Sequence, residues 1–438
     1  MSGGEVRTAD AVIIGAGVIG SAVALELSRR GFRTVSVDKA PAAGYGSTSS
    51  SSAVVRAHYS SRDGVVMAYE GFAYWAEWED YLAVTDERGL AKYVGCGSVL
   101  LKSDDGLWPK ALAHYRELGV EHEEWDTATL AARVPYYDLG RFGPPSRPDQ
   151  DAFWQEPDGE LEGALYTPGS GYMSDPQLAT HNLQRAAEVA GAEFVFRRTV
   201  TEIRHGERIE GVTLDDGTRI HSPVVVNVAG PHSARVNALA GLTGTMRIST
   251  RPLRHEVHVV GAPEGVDMAT EGIHTADGDL GIYFRPEGGN TIMVGSEDPP
   301  CDPREWVDDP EDLNRGLTRA HWETQVYRLA RRIPGLRIPP DMRGVADLYD
   351  VSDDWIPVYD QTDLPGFYVA IGSSGNQFKN APVAGHVLAE LVTACEAGLD
   401  HDRDRLQLKM PHTGLQLDVG FFSRNREINE GSSFSVNG

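Results

Sequence analysis

Three glycines carry the clearest chemistry in this chain. Gly15, Gly17 and Gly20 stand in the run Gly15-Ala16-Gly17-Val18-Ile19-Gly20, between the apolar stretch Ala11–Ile14 and a helix-period segment ending near Arg30. Gly15 allows a tight turn, Gly17 lets backbone approach a pyrophosphate, and Gly20 lets helix pack against strand. The first helical turn, from Val18 and Ile19, offers free N–H groups and a partial positive charge to phosphate. Gly31 can stop the helix, and residues 34–37 read as a β-branched strand ending in Asp38, eighteen residues after Gly20. A carboxylate at that place can accept hydrogen bonds from an adenosine ribose. The unit reads as a dinucleotide site and does not say which dinucleotide.

The elements that must position further groups follow in order. Lys39 and a Gly/Ser/Thr loop, residues 41–52, come straight after the ribose strand and bring Ser47, Thr48 and Ser49 beside it. The loop leads into residues 53–59, AVVRAHY. Residues 65–82 read as an aromatic-rich amphipathic helix whose stripe is core. Residues 93–102 read as a strand of another sheet, 107–118 as a helix, and 138–158 as a surface excursion or linker. Asp175-Pro176 opens a helix to Ala190. Residues 194–203, which contain Val200, and 210–216 alternate as strands, with Asp215-Asp216-Gly217 a hairpin turn. Residues 224–228 form an apolar strand ending in Ala229-Gly230-Pro231. Strand-like runs fill 251–295, an acidic helical region covers 310–332, strands are expected at 356–358 and 367–371, and a helix at 382–394. No internal repeat is present.

Composition bounds the rest. The chain has 438 residues, 41% of them hydrophobic, and 40 basic against 64 acidic side chains, a net charge of −24. Such a surface argues against nucleic acid and anionic membrane as partners. No run of 18 apolar residues is present, so no membrane span is expected. A polar start gives no signal peptide. Cys96, Cys301 and Cys395 lie far apart and make neither a disulfide framework nor a metal pattern, and His255 with His258 does not make one either. A cytoplasmic protein with reduced thiols and no bound metal is the expectation.

Three stretches together resemble one family, the D-amino-acid-oxidase superfamily of FAD-dependent amine oxidoreductases. They are the glycine fingerprint with its serine loop, residues 224–233 (VVVNVAGPHS), and residues 364–391 (LPGFYVAIGSSGNQFKNAPVAGHVLAEL). The resemblance implies an α/β fold: a Rossmann-type, GR2-like FAD-binding domain interleaved with a mixed-sheet substrate domain. Its expected segments are 8–90, 155–240 and 340–400 for FAD, 91–154 and 241–339 for substrate, and 401–438 as a tail. It implies FAD held by the fingerprint, Asp38, Lys39, Ser47, Thr48, Ser49, Val200, Ala229, Gly230, Gly372, Gly375, Asn376, Gln377, Phe378 and Lys379.

Within that superfamily the chain looks most like the sarcosine oxidase and N-methyl amino acid branch. Val54-Val55-Arg56 and Phe378-Lys379 are similar to the motifs that put an arginine and a lysine on the substrate carboxylate. Residue by residue, departures appear. Met293 stands where monomeric sarcosine oxidases have an oxygen-activating lysine. Asp347 stands at the covalent flavin cysteine, which implies non-covalent FAD. Tyr349 takes the place of the carboxylate arginine of D-amino acid and glycine oxidases. Ser49 and Ala53 replace a histidine and an arginine near the flavin.

The implied chemistry is hydride transfer from the C–H next to nitrogen to flavin N5, giving an imine. The substrate is a secondary amine or an amino acid, and O2 or an electron carrier takes the electrons. Arg56 and Lys379 would anchor a carboxylate, because two cations in one pocket favour an anion and arginine can bind it in bidentate fashion. His255, Tyr283, Tyr349 and Arg285 are further pocket candidates, with strand packing as the plainer role for each, and His58 is a candidate for a flavin link. Two other readings stay open: a flavin monooxygenase or NAD(P)-coupled flavoenzyme, and a flavin-binding subunit of a larger complex. The tail 413–438 either is a disordered end or packs back against a pocket or a subunit contact.

Overall fold

The computed structural model describes residues 5–438. Its first layer is a six-stranded sheet in the order Glu193–Phe196, Thr34–Asp38, Ala11–Ile14, Val224–Asn227, Phe367–Ile371, Val358–Gln361. The first five strands run parallel and the last is antiparallel. The central strands are unbroken apolar runs because both faces are covered. On one face lie the helices Val18–Arg29, Pro176–Val189 and Ala381–Glu396. Asp175 caps the second of these by accepting from the Leu178 amide at 2.9 Å. Gly385 lets the third close on the first: a Cβ there would come 2.8 Å from the Ala22 backbone. The other face is covered by a four-stranded sheet, Val6–Thr8, Arg219–His221, Ile209–Leu214 and Val200–His205. Three separated parts of the chain thus build one nucleotide-type sheet.

The second layer is a nine-stranded mixed sheet in which Thr250–Gly261, Thr291–Ser296, Ile282–Glu287, His274–Asp277, Ser98–Leu101 and Ala164–Thr167 are consecutive neighbours. Gly344–Ser352 pairs along the length of Thr250–Gly261. The expected boundaries at 155 and 340 need correction here. Ala164–Thr167 and Gly344–Ser352 belong to this sheet, not to the nucleotide sheet. An apolar strand carries no local mark of which sheet its edges will join.

Several expected elements are cut by backbone geometry. The strand at 93–102 is two, Tyr93–Val94 and Ser98–Leu101, separated by Gly97 at φ 71°. The run 194–203 breaks at Arg197, φ 58°, into strands of two different sheets. The helix at 65–82 becomes Arg62–Ala76 and Trp78–Leu82. In the acidic region only Arg319–Arg332 is α-helical, capped by the Thr318 side chain. The strand expected at 356–358 lies at Val358–Gln361. Among the described residues, no helix is long and apolar enough to cross a membrane.

The tail packs back. Arg424 pairs with Asp360 at 3.0 Å and Asp402 at 2.7 Å, and Arg426 forms a two-point pair with Asp354 at 2.7 and 2.9 Å. Ser435, Val436, Asn437 and Gly438 are buried.

Candidate active site

The fingerprint forms an empty-sided cradle. Gly15 has φ 114°, and a Cβ on it would stand 2.5 Å from the Val228 carbonyl oxygen. A Cβ on Gly20 would land on the Gly15 carbonyl oxygen, so strand and helix touch backbone to backbone. Gly17 caps the helix with no side-chain partner. The serine loop is an ordered 3-10 turn, Ser47–Ser50, laid over that helix end, where the Val18 amide donates to Thr48 Oγ1 at 3.2 Å. Asp38 accepts from the amides of Ala16 and Ala40, each at 2.7 Å, which aims its carboxylate along the turn and leaves lone pairs free. These features fit an ADP moiety: bare backbone at the turn, a helix N-terminus, and a fixed carboxylate one strand away.

Beyond the cradle, one partly open pocket lined by mostly buried side chains collects the groups of interest. Arg56, Tyr283, Gly375, Asn376, Phe378 and Lys379 line it. Arg56 and Lys379 are 6% and 3% exposed, so neither charge is solvated. Arg56 donates to the carbonyls of His58 and Val436, the latter at 2.7 Å. Lys379 donates to the Asn376 carbonyl at 2.6 Å. Among the described residues, neither is paired with a carboxylate. Burial first, and Arg56 second, hold the Lys379 amine well below its ordinary range. An arriving anion would reverse that shift, because a nearby negative charge favours the ammonium.

The C-terminal glycine turn is locked from behind. Gly372 donates to the Asp350 carboxyl at 2.7 Å, and burial pushes that carboxyl up to about 7. Tyr59 donates to the Asn376 carbonyl at 2.7 Å, Gln377 accepts from Tyr359 at 2.9 Å, and Phe378 stacks on Trp75 with ring centroids 5.2 Å apart. Strain collects here. Ala53, Asp298 and Ser374 hold φ of 50°, 57° and 45°, and each adjoins a cavity-lining residue. Such conformations cost about 1–3 kcal/mol each and persist where the surroundings enforce them.

Other expected residues are placed away from the cavity. His255 bonds Asp298 at 2.9 Å and stacks on Tyr349 with centroids 4.2 Å apart, which puts both rings in a layer behind Tyr283 and Gly375. Lys39 turns to the surface and pairs with Glu311 and His232. Ser49 bonds the Gly46 carbonyl within its own turn. Val200 sits in the core between the two smaller sheets, and Ala229 and Gly230 cross over the end of the strand Val224–Asn227. Arg285 fastens the serine loop by donating to the Ser52 carbonyl at 2.7 Å. Met293 is half-buried and outside the cavity lining. His58 is buried with neither ring nitrogen paired, and burial holds it well below its ordinary pKa.

Among the lining residues, His274 and Glu297 escape the sequence reading, while Ser51 and Ser52 belong to the serine loop and Val436 to the tail. For Glu297 a signal existed. Side chains alternate along a strand, so Met293, Gly295 and Glu297 share one face. Gly295 leaves that face open for the Tyr283 ring, whose hydroxyl would meet a Cβ there at 2.5 Å. His274 had none, because it lies near no motif in sequence.

The tail therefore forms part of the wall. Deleting residues 432–438 removes the Val436 carbonyl that orients Arg56, and the expected result is about a tenfold higher KM for any substrate that Arg56 holds, at unchanged FAD content. Steady-state kinetics with the flavin-to-protein absorbance ratio checks this. An unchanged KM means the tail does not position Arg56.

Comparison with known proteins places this site in context. The pattern of the family described as DAO, FAD dependent oxidoreductase, matches residues 10–391. The chain is 26% identical to the glycine oxidase of Geobacillus kaustophilus over 402 residues, covering 89% of this chain and 94% of the relative. It is 23% identical to the monomeric sarcosine oxidase of Streptomyces avermitilis over 412 residues, covering 88% and 93%. Among solved structures, L-proline dehydrogenase from P. horikoshii superposes with a TM-score of 0.73 at 20% identity, over 95% of this chain and 97% of the other.

Proposed function

This chain belongs to the DAO family of FAD-dependent oxidoreductases, and from that premise we propose that it oxidises an amine-bearing carboxylate, of the N-methyl, cyclic or simple amino acid type, at the C–H next to nitrogen. The observation that carries this reading is the meeting of Arg56 and Lys379, both buried, in one pocket without a paired carboxylate. The relatives named glycine oxidase and sarcosine oxidase support the substrate class. When bound, FAD supplies the two-electron acceptor.

The side chains orient and desolvate. Arg56 offers a planar fork to the carboxylate oxygens and Lys379 a second point of charge, which together fix one end of the substrate. The stacked Trp75 and Phe378 and the Asn376 carbonyl hold Lys379 in place. The two cations also disfavour a third, so the substrate nitrogen tends to its neutral form, the form that can release hydride. Water then hydrolyses the product imine.

FAD is proposed to be held without a covalent bond. Asp347 accepts from Ser50 Oγ at 2.7 Å and pairs with Arg315 at 3.1 Å, and a carboxylate forms no thioether.

Anaerobic mixing with glycine, N-methylglycine, proline and a set of neutral amines tests the reading. The expected result is flavin bleaching by members of the amino acid set in preference to the neutral amines. Bleaching by NADPH alone points to the NAD(P)-coupled alternative, and no bleaching by any amine rejects the proposal. Reoxidation by O2 against an artificial acceptor then identifies where the electrons go.

A further inference from the structure

We propose that Glu297 accepts the proton from the substrate's ammonium group, so that the cavity recognises both ends of a zwitterion. This rests on the reading that the cavity takes amine-bearing carboxylates.

Glu297 directly follows the strand Thr291–Ser296 and is held extended by its amide, which donates to the Gly281 carbonyl at 3.0 Å. Its side chain lines the same cavity as Arg56, Lys379, Tyr283 and His274. It is 7% exposed; among the described residues its carboxyl has no ion pair, and its hydrogen-bonding neighbour is the Asn437 side chain at the end of the tail. A buried carboxyl with no cation paired to it costs free energy to ionise unless a ligand brings the positive charge. The cavity thus holds two cationic side chains and one acidic one. A molecule with a carboxylate at one end and an amine at the other complements all three.

Burial comes first in pushing the Glu297 carboxyl up to about 8, Asp105 and Asp277 add to the rise, and Arg56 and Asn437 oppose it. Tyr283 and His274 also face the cavity; burial raises the first and lowers the second well below its ordinary value, so neither is charged near neutral pH. A general base works best with a pKa near the working pH. In the step, the N–H bond of the ammonium breaks and an O–H bond forms on Glu297. No electrons change hands, and the freed nitrogen lone pair then supports loss of hydride from the adjacent carbon. As the acceptor must be ionised, kcat/KM should rise with pH up to about 8.

The test is the pH profile of Glu297→Gln with N-methylglycine or whichever amino acid bleaches the flavin. The expected result is a fall in kcat/KM of about 10²–10³ and loss of the acidic limb. Binding of propionate, which has no amine and is followed by the flavin absorption change, should stay within about threefold of wild type, as Glu297 contributes no attraction to an anion. A limb that persists in Glu297→Gln overturns the proposal, and so does an equal loss of propionate binding. If that variant does not retain FAD, Glu297→Asp keeps the carboxyl with a shorter reach. A limb moved by half a unit or more then supports the assignment, and an unmoved limb rejects it. Failure of the parent reading looks different: propionate would not bind wild type, or would bind Lys379→Met equally well.

Discussion

Gly15→Ala should purify colourless. Wild type should be yellow and release its FAD into the supernatant on acid precipitation, as expected of a flavin without a covalent bond. At position 15 the backbone has φ 114°, which an L side chain adopts only with strain, and the new Cβ would stand 2.5 Å from the Val228 oxygen and 2.9 Å from its carbon. Both are backbone atoms of Val228, buried just past the end of the parallel strand Val224–Asn227, so they cannot step aside as a flexible side chain would. The turn must lift instead. Left-handed strain and overpacking together are worth about 2–4 kcal/mol, or roughly two to three orders of magnitude in FAD affinity. Titration of the apoprotein by quenching of FAD fluorescence measures this. If the variant binds FAD as wild type does, the cradle lies elsewhere.

The second large effect is expected at Lys379→Met. Methionine matches the length and apolar stem of lysine and removes only the ammonium, which donates to the Asn376 carbonyl and lies 4.9 Å from the Tyr59 ring centroid. A charge-assisted hydrogen bond to a carboxylate is worth about 1.5–3 kcal/mol. Carboxylate substrates should therefore bind roughly 10- to 150-fold more weakly, with neutral amines changed by no more than about threefold. The two substrate classes must be compared in one preparation, since a general disturbance of the glycine turn would weaken both. Equal losses would reject the clamp. Arg56→Met is a poorer probe, because it also strips partners from the His58 and Val436 carbonyls.

Much of this site was legible in the chain because its physics is local. A turn at φ 114°, a helix start without a side chain and a carboxylate at a strand end are all set by a few consecutive residues. The same holds for the turn that carries Gly372, Gly375 and Lys379. Other expected residues make contacts that are distant in sequence. His255 and Tyr349 sit on paired strands and stack on one another, one layer back from the cavity. Lys39 follows the ribose strand but finds Glu311 across the surface, 272 positions away. Charge and position along the chain did not reveal either partner.

By itself the sequence determined the dinucleotide cradle, the α/β plan with interrupted nucleotide segments, and the two cations of the proposed carboxylate clamp. Each depends on short-range geometry or on a motif whose residues act within one turn. Only the tertiary structure decided which strands share the nine-stranded sheet, that Glu297 and His274 face Arg56 and Lys379, and that the tail lends Val436 to the cavity wall. The physical reason is that sheet edges, cavity walls and a returning tail are satisfied by partners hundreds of residues apart. Hydrogen bonds such as Arg56 to the Val436 carbonyl, 380 positions along the chain, exist only after folding has closed the distance.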